Sequence, residues 1–277
     1  MLYRLALADL SPRNLRTSLT ILGIAIGVAA MVSLVAVGTG MRGAVRRNLE
    51  DLVNMGFIMM PSGGPSNAVM SGPPSSGLIP EERLRGLEDV DGVTLVTPTL
   101  VQMGFTDRTG ETALLIVGAP FSGVREGLPG LVEGSYWRGP REALLGATAA
   151  EMLSAEPGGR IVVLRRAYDE EGLEVRVAGV LSSTGTFLQD QAIYLPLETV
   201  QEFYGQEGMV NVVFVRVDDP RAAERVKEVL MERYPDLTIV GTEEVMESVE
   251  SILGILDAVL LGIGGISMAI AGLSITN

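Results

Sequence analysis

An uncharged apolar run decides the fold class of this chain: residues 17–38 read TSLTILGIAIGVAAMVSLVAVG. At a rise of about 1.5 Å per residue, a helix of this length spans the roughly 30 Å hydrocarbon core of a bilayer. Residues 251–277 repeat the feature, with Asp257 as their only charge. The sequence therefore predicts one transmembrane helix near each end of the chain.

Amphipathic segments join both apolar runs to the middle of the chain. After the first run, apolar residues recur at nearly helical spacing at Met41, Val45, Leu49 and Leu52. Before the second run, a similar stripe begins at Val245 and Val249. We predict two stalk helices and favour pairing of their stripes over separate packing of each on the middle domain. This continuation also argues against a cleaved signal peptide, whose apolar core spans only about 7–15 residues.

Small residues line one face of each predicted span: Gly23 and Gly27 in the first, and Gly254, Ala258 and Gly262 in the second. Such faces let helices approach closely in lipid, and we predict helix packing there. The alternative is that these glycines follow only the general frequency of glycine in transmembrane helices. For Asp257 we favour a place at the outer interface over pairing with a stalk arginine.

Missing residue types exclude several kinds of site. The chain contains no cysteine and no histidine, so disulfides, Cys/His metal centres and histidine-based catalysis are excluded. Its single lysine, Lys227, follows no glycine-rich loop, and the chain therefore lacks a Walker A motif. We predict that the protein is not an enzyme and holds no cofactor or metal, so that nucleotide chemistry has to come from a partner.

The negative charge is concentrated in the middle of the chain. The net charge is −13, of which residues 1–38 contribute +2 and residues 251–277 contribute −1, leaving −14 for residues 39–250. Such a domain repels nucleic acid and anionic headgroups, so we predict no nucleic-acid partner.

The middle of the chain mixes strand and helix patterns. Residues 61–77 are rich in Ser, Gly and Pro and indicate a loop. We predict strands at about 94–105, 112–118, 143–145, 160–164, 175–181, 192–195, 209–217 and 237–240. Helices are predicted at 80–87, 197–204 and 220–234.

Several stretches together resemble MacB/FtsX-type ABC transporter permeases. Residues 16–38 are similar to the first transmembrane helix of that family, and 251–277 to its second. The family's extracytoplasmic core domain is resembled by GLVEGSYWRGPREALLGATAAEML (130–153), GGRIVVLRRAYDEEGLEVRVAGVL (158–181) and QDQAIYLPLETVQEFYG (189–205). The resemblance implies a cytoplasmic N-terminus and an external middle domain. The family continues with a coupling segment and two more spans, so we expect this chain to be a partial permease.

The predicted fold class is a membrane protein in which two transmembrane α-helices flank an α+β extracytoplasmic domain with two subdomains. We predict a cytoplasmic segment at 1–16, spans at 17–38 and 252–277, and stalks at 39–53 and 242–251. The core domain is predicted at 54–241. Within it, 54–100 and 205–241 form one α/β subdomain, and 101–204 form an inserted, strand-rich one.

The function that the resemblance implies is the permease subunit of an ABC transporter in the plasma membrane. A separate ABC ATPase would drive it, and permeases would pair as a homodimer or heterodimer in the bilayer. Export and FtsX-like mechanical signalling both remain open. The alternative is a two-span sensor with an external ligand-binding domain; two further spans downstream indicate a permease, and a long heptad pattern indicates a sensor.

The predicted orientation is testable because the chain has no cysteine of its own. Ser71→Cys, in the predicted external loop, is expected to react with a membrane-impermeant maleimide on intact cells. Asp9→Cys, in the predicted cytoplasmic segment, serves as the control and should react only after lysis. Labelling of Ser71→Cys only after lysis would contradict the orientation.

Overall fold

The computed structural model describes residues 56–62, 77–121, 128–185, 187–217 and 219–241, with isolated helical positions at 29, 32, 33, 36, 40, 254, 255, 258, 259 and 262. The chain divides into two compact units, residues 1–47 with 246–277 and residues 48–245. Among the described residues, no helix is long and apolar enough to cross a membrane. The predicted spans and stalks fall almost entirely outside these residues and stay predictions.

The described part of the core contains twelve strands and five short helices. The strands are β1 (Phe57–Pro61), β2 (Ile79–Pro80), β3 (Val93–Thr106), β4 (Leu114–Ala119), β5 (Leu131–Gly134), β6 (Glu142–Leu145), β7 (Arg160–Leu164), β8 (Leu173–Leu181), β9 (Ala192–Pro196), β10 (Met209–Val210), β11 (Val212–Val217) and β12 (Leu237–Gly241). The helices are α1 (Ala147–Leu153), α2 (Phe187–Asp190), α3 (Leu197–Tyr204), α4 (Pro220–Arg233) and a 3₁₀ helix at Glu81–Leu84.

Ten of these strands form one mixed sheet. Its order is β12-β1-β11-β3-β4-β9-β6-β8-β5, and β7 pairs with both β3 and β8. Most pairs are antiparallel, but β4 with β9 and β6 with β8 are parallel. Parallel neighbours require a crossover connection, which α1 and β7 supply between β6 and β8. The remaining strands, β2 and β10, form a separate two-stranded ladder.

Strand β3 is the longest strand described, and it changes partners along its length. Val93–Thr99 pair with β11, Leu100–Gly104 pair with β4, and Phe105 and Thr106 pair with β7. We call β1, β11, β12, α4 and the first part of β3 the terminal half of the core. The rest of β3 with β4–β9, α1, α2 and α3 is the inserted half. Since residues 48–245 form one compact unit, the predicted division into subdomains stays a prediction.

A continuous apolar core runs through both halves. Met59 and Leu230 in the terminal half and Ile116, Leu145 and Ile193 in the inserted half are all fully buried. They belong to one hydrophobic cluster that also contains Leu100 of β3. Each such side chain stabilises the fold by about 2 kcal/mol relative to an exposed one.

Most of the predicted strands and two of the three predicted helices are confirmed. The prediction of a helix at 80–87 is wrong, because only Glu81–Leu84 form a short 3₁₀ helix. Gly86 turns the chain with φ of 75°, and the guanidinium of Arg233 donates to the carbonyl groups of Arg85 and Gly86, both at 3.0 Å. These carbonyl groups are therefore bound by a side chain instead of by a continuing helix.

Sequence patterns missed five elements, namely β1, β2, β5, α1 and α2. Strand β1 reads FIMMP and is buried on both faces along most of its length, so it lacks the alternation that identifies a half-exposed strand. Helix α1 is only seven residues long and ends at Ser154, whose φ is 47°. Strand β5 has four residues, most of them exposed. Such short segments carry too few residues to establish a period.

A buried carboxylate closes the loop between β8 and α2. Asp190 is 6% exposed and accepts hydrogen bonds from the Ser183 hydroxyl (2.6 Å), from the Gly185 N–H (3.0 Å) and from the Thr184 N–H and hydroxyl (2.9 and 3.1 Å). Burial acts to raise the pKa of this carboxyl, but the donors outweigh it and the pKa lies below its ordinary value. The charged form is therefore the one that holds the loop.

We expect Asp190→Asn to lower the free energy of unfolding by about 2 kcal/mol at neutral pH, because an amide NH2 group cannot accept these bonds. A depressed pKa stabilises the fold above the unfolded-state value and loses this effect as pH falls through the folded-state value. The difference between wild type and variant should therefore shrink below about pH 4. Denaturant titrations at neutral and acid pH measure this difference in the free energy of unfolding. Asp169→Asn is the control, because among the described residues the Asp169 carboxylate accepts a single hydrogen bond, from the Arg166 N–H. An equal loss of stability in that variant would contradict the role assigned to Asp190.

The core is expected to fold without the terminal segments, because residues 48–245 form a compact unit with its own buried cluster. Residues 51–244, expressed alone, should be soluble and unfold in one cooperative transition by circular dichroism and tryptophan fluorescence. An aggregated or unstructured product would mean that the core depends on the stalks.

Candidate functional site

The sequence-predicted site residues lie mainly outside the described residues. This holds for Gly23 and Gly27 and for the stalk residues Met41, Val45, Leu49, Leu52, Val245 and Val249. Gly254, Ala258 and Gly262 are helical and exposed, and a Cβ atom added at either glycine would meet no heavy atom within 4 Å. Helix packing at these positions stays a prediction.

The most distinctive polar arrangement in the described core is the junction where β3 passes from β11 to β4. The Asn211 N–H donates to the Thr99 carbonyl at 3.2 Å, which is the last backbone bond between β11 and β3. The Asn211 side chain then continues the ladder. Its Oδ1 accepts the Val101 N–H at 2.8 Å, and its Nδ2 donates to the Val101 carbonyl at 2.7 Å. A side-chain amide thus makes both bonds that a further strand residue would make.

A tyrosine hydroxyl binds a further carbonyl group on the same edge of β3. Alternate residues of a strand direct their N–H and C=O groups to the same edge, so Met103 follows Val101 there. The Tyr204 hydroxyl donates to the Met103 carbonyl at 3.1 Å, and β7 begins to pair at Phe105. Burial raises the pKa of the Tyr204 phenol above its ordinary value, while Arg165 acts in the opposite direction. The hydroxyl therefore stays protonated and able to donate at physiological pH.

A second set of contacts crosses the junction beside α3. The Gln201 side-chain amide is 5% exposed and donates to the Glu81 carboxylate and, at 3.0 Å, to the Met209 carbonyl. The Glu81 N–H in turn donates to the Gly208 carbonyl at 2.9 Å. These bonds fasten the β2–β10 ladder against the inserted half.

A hairpin with an exposed tyrosine lies close to this junction. Tyr168, between β7 and β8, is 73% exposed and has φ of 64°, which is unusual for a bulky side chain. The Arg166 N–H donates to the Asp169 carboxylate at 3.0 Å and holds the turn. The Arg165 guanidinium lies 5.4 Å from the centroid of the Phe203 ring, which packs edge-on against Tyr204.

The groups at the junction are amides, a hydroxyl and one carboxylate, all bound to backbone or to each other. Across the described ranges, no group of three or more acidic, histidine or cysteine residues is placed to hold a metal ion. These contacts hold β3, β10 and the 3₁₀ helix in position.

Sequence reasoning did not single out Asn211 or Gln201. A weak signal exists for Asn211, which interrupts the valine-rich run MVNVVFVRV at 209–217, because asparagine is depleted inside strands. Gln201 has no such signal, because a glutamine is ordinary in a helix. Its burial depends on Glu81, which is distant in sequence.

Comparison with known proteins places the chain among membrane transporters. The MacB-like periplasmic core domain family matches residues 17–233. An uncharacterized ABC transporter permease of Methanocaldococcus jannaschii is 22% identical over 98% of this chain and 69% of its own length. The macrolide export ATP-binding/permease protein MacB of Marinobacter nauticus is 25% identical over 98% of this chain, but this covers only 44% of that protein.

The fold is also found in a solved structure. The periplasmic region of MacB from Actinobacillus actinomycetemcomitans aligns over 72% of this chain and 94% of that chain, with a TM-score of 0.52 and 17% sequence identity. This likeness supports the α+β fold of the core. Since the family match extends over most of the chain, the protein belongs to the MacB-like periplasmic core domain family of ABC transporter permeases.

Proposed function

We propose that this chain is the membrane-spanning permease part of a MacB/FtsX-type ABC transporter. In this proposal, the ATP-driven motion of a partner ATPase passes through the membrane helices and stalks to an extracytoplasmic core, for export or for mechanical signalling. The observation that carries it is the family match over residues 17–233, which joins the first apolar run to the core. The core then lies outside the plasma membrane, and the chain is part of a multi-pass protein.

The ends of the core suit a relay of motion. The first strand of the core, β1, and the last, β12, are antiparallel neighbours, and Phe57 pairs with Gly241. Their Cα atoms are therefore about 5 Å apart, the spacing of paired antiparallel residues. The chain thus enters and leaves the core at one place. Two stalks that begin side by side can pair along their apolar stripes and move the core as a unit.

The proposed partners follow from what the chain lacks. Relatives named macrolide export ATP-binding/permease protein combine two activities, whereas residues 1–277 contain no Walker A lysine. We propose that a separate ABC ATPase supplies nucleotide hydrolysis and that two permeases pair in the bilayer. The acidic core argues against a nucleic-acid partner. The family match favours the permease over a two-span sensor.

The proposed relay predicts that a helix break in the first stalk uncouples hydrolysis from motion. Arg47 lies off the stripe of Met41, Val45 and Leu49, so its replacement spares the apolar face. Arg47→Pro removes a backbone donor and costs about 3 kcal/mol of helix stability. We expect the reconstituted complex to hydrolyse ATP while the core no longer moves. Spin labels at Glu228→Cys in both permease copies, an exposed site on α4, measure the motion.

Arg47→Ala is the matched control, because it removes the same charge and keeps the helix. It should show the ATP-dependent change in distance seen without substitution. A proline variant that moves normally would mean that the stalk is not a rigid relay. If Arg47→Ala loses the ATP-dependent change in distance to the same extent, the lost charge causes the effect and the helix break does not. If the unsubstituted complex shows no ATP-dependent change, the permease proposal itself fails.

A further inference from the structure

We propose that Asn211 makes the two halves of the core move as one body, and we call its two side-chain hydrogen bonds to Val101 the splice. Its side chain substitutes for a missing strand residue at the point where β3 leaves β11 and joins β4. The proposal concerns the core alone, and its test does not require that the chain take part in transport.

The splice is needed because β3 changes partners over very few residues. On one edge, pairing with β11 ends at Thr99, and pairing with β7 starts only at Phe105. Without Asn211, the Val101 N–H and C=O would lose both partners in the half-buried centre of the sheet. Orphaned backbone groups are rare in folded proteins, because each loses its hydrogen bonds to water without replacement.

Asparagine is the residue type that meets this requirement. A side-chain amide presents one donor and one acceptor side by side, which matches the C=O and N–H of a single strand residue. Asn211 is 2% exposed, so water does not compete for these bonds. An aspartate of the same size would keep an acceptor for the Val101 N–H but would have no donor for the Val101 carbonyl.

The bonds cross the boundary between the halves. Asn211 directly precedes β11 in the terminal half, and Val101 belongs to the part of β3 that pairs within the inserted half. The return connection of the chain contains Gly205 and Gly208 at φ of 65° and 69°, where an added Cβ would meet no atom within 4 Å. Side chains and backbone tie this connection to its surroundings: the Gln102 amide of β3 donates to the Gln206 side chain at 2.8 Å, and the Glu81 N–H donates to the Gly208 carbonyl at 2.9 Å. Asn211, together with the bond between Gln102 and Gln206, therefore resists bending of β3 near Leu100.

The rigidity of the junction can be measured in the full chain, which has no native cysteine. Spin labels are placed at Glu228→Cys on α4 and at Glu151→Cys on α1, both exposed and one in each half. Pulsed electron paramagnetic resonance in lipid nanodiscs then gives the distance distribution between them. We expect a single narrow distribution for the otherwise unsubstituted chain.

Asn211→Ala and Asn211→Asp are expected to broaden this distribution. Hydrogen exchange of the Val101 amide should also become about tenfold faster in Asn211→Ala, the factor that corresponds to one lost hydrogen bond. Tyr204→Phe is the matched control. It removes a bond to the next backbone group on the same edge, but Tyr204 and Met103 lie in the same half. The distribution of this variant should stay as narrow as that of the parent.

Three results would overturn the proposal. The first is a distribution in Asn211→Ala as narrow as that of the parent, and the second is equal broadening in Tyr204→Phe. The third is a broad or two-peaked distribution in the parent chain. The third result is measured on the native junction. It therefore tests the proposal even if substitutions at Asn211 prevent folding. In that case, a narrow parent distribution with a slowly exchanging Val101 amide supports the splice.

Discussion

The change of partners along β3 organises the rest of the core. This strand is fourteen residues long and serves the terminal half at one end and the inserted half at the other. Buried backbone groups of such a strand need hydrogen-bond partners. Strands β11, β4 and β7 provide partners along successive parts of β3, and on one edge Asn211 binds the Val101 N–H and carbonyl and Tyr204 binds the Met103 carbonyl. Side chains thus continue the hydrogen bonding on this edge between β11 and β7.

Outside the junction, side chains hold the segments that have no ladder of their own. Arg83 forms a two-point ion pair with Asp236, with both contacts at 2.8 Å. Asp190 accepts hydrogen bonds from Ser183, Thr184 and Gly185, and Arg108 donates to the Leu153 and Arg160 carbonyl groups at 2.9 and 2.7 Å. In each case a polar side chain joins segments that the strand ladders do not connect. The apolar core supplies the stability, and these polar contacts determine the positions of the loops.

The proposed function depends more on the positions of the strands and chain ends of the core than on the chemistry of individual side chains. A permease that relays motion needs a core that does not absorb that motion by bending. The adjacent ends of β1 and β12 bring the chain in and out at one place, and β3 carries the connection onward to the inserted half. Helix α4 packs on β12 and β11 beside this entry point. This arrangement is the one that the proposed relay requires.

The sequence by itself determined the features that depend on local pattern. The runs RIVVL and AIYL predict the strands at 160–164 and 192–195, which the structure confirms, and the span at 17–38 stays a prediction. The order of several motifs, and no single one, indicated the permease family. Patterns failed for the short, buried strand β1 beside the Ser-, Gly- and Pro-rich loop, and for the 3₁₀ helix at Glu81–Leu84, which Gly86 and Arg233 end. Only the tertiary structure decided the roles of Asn211, Gln201 and Asp190. The Val101 and Glu81 partners of Asn211 and Gln201 are brought to them by folding, and a hydrogen bond between residues 110 positions apart leaves no local pattern in a sequence.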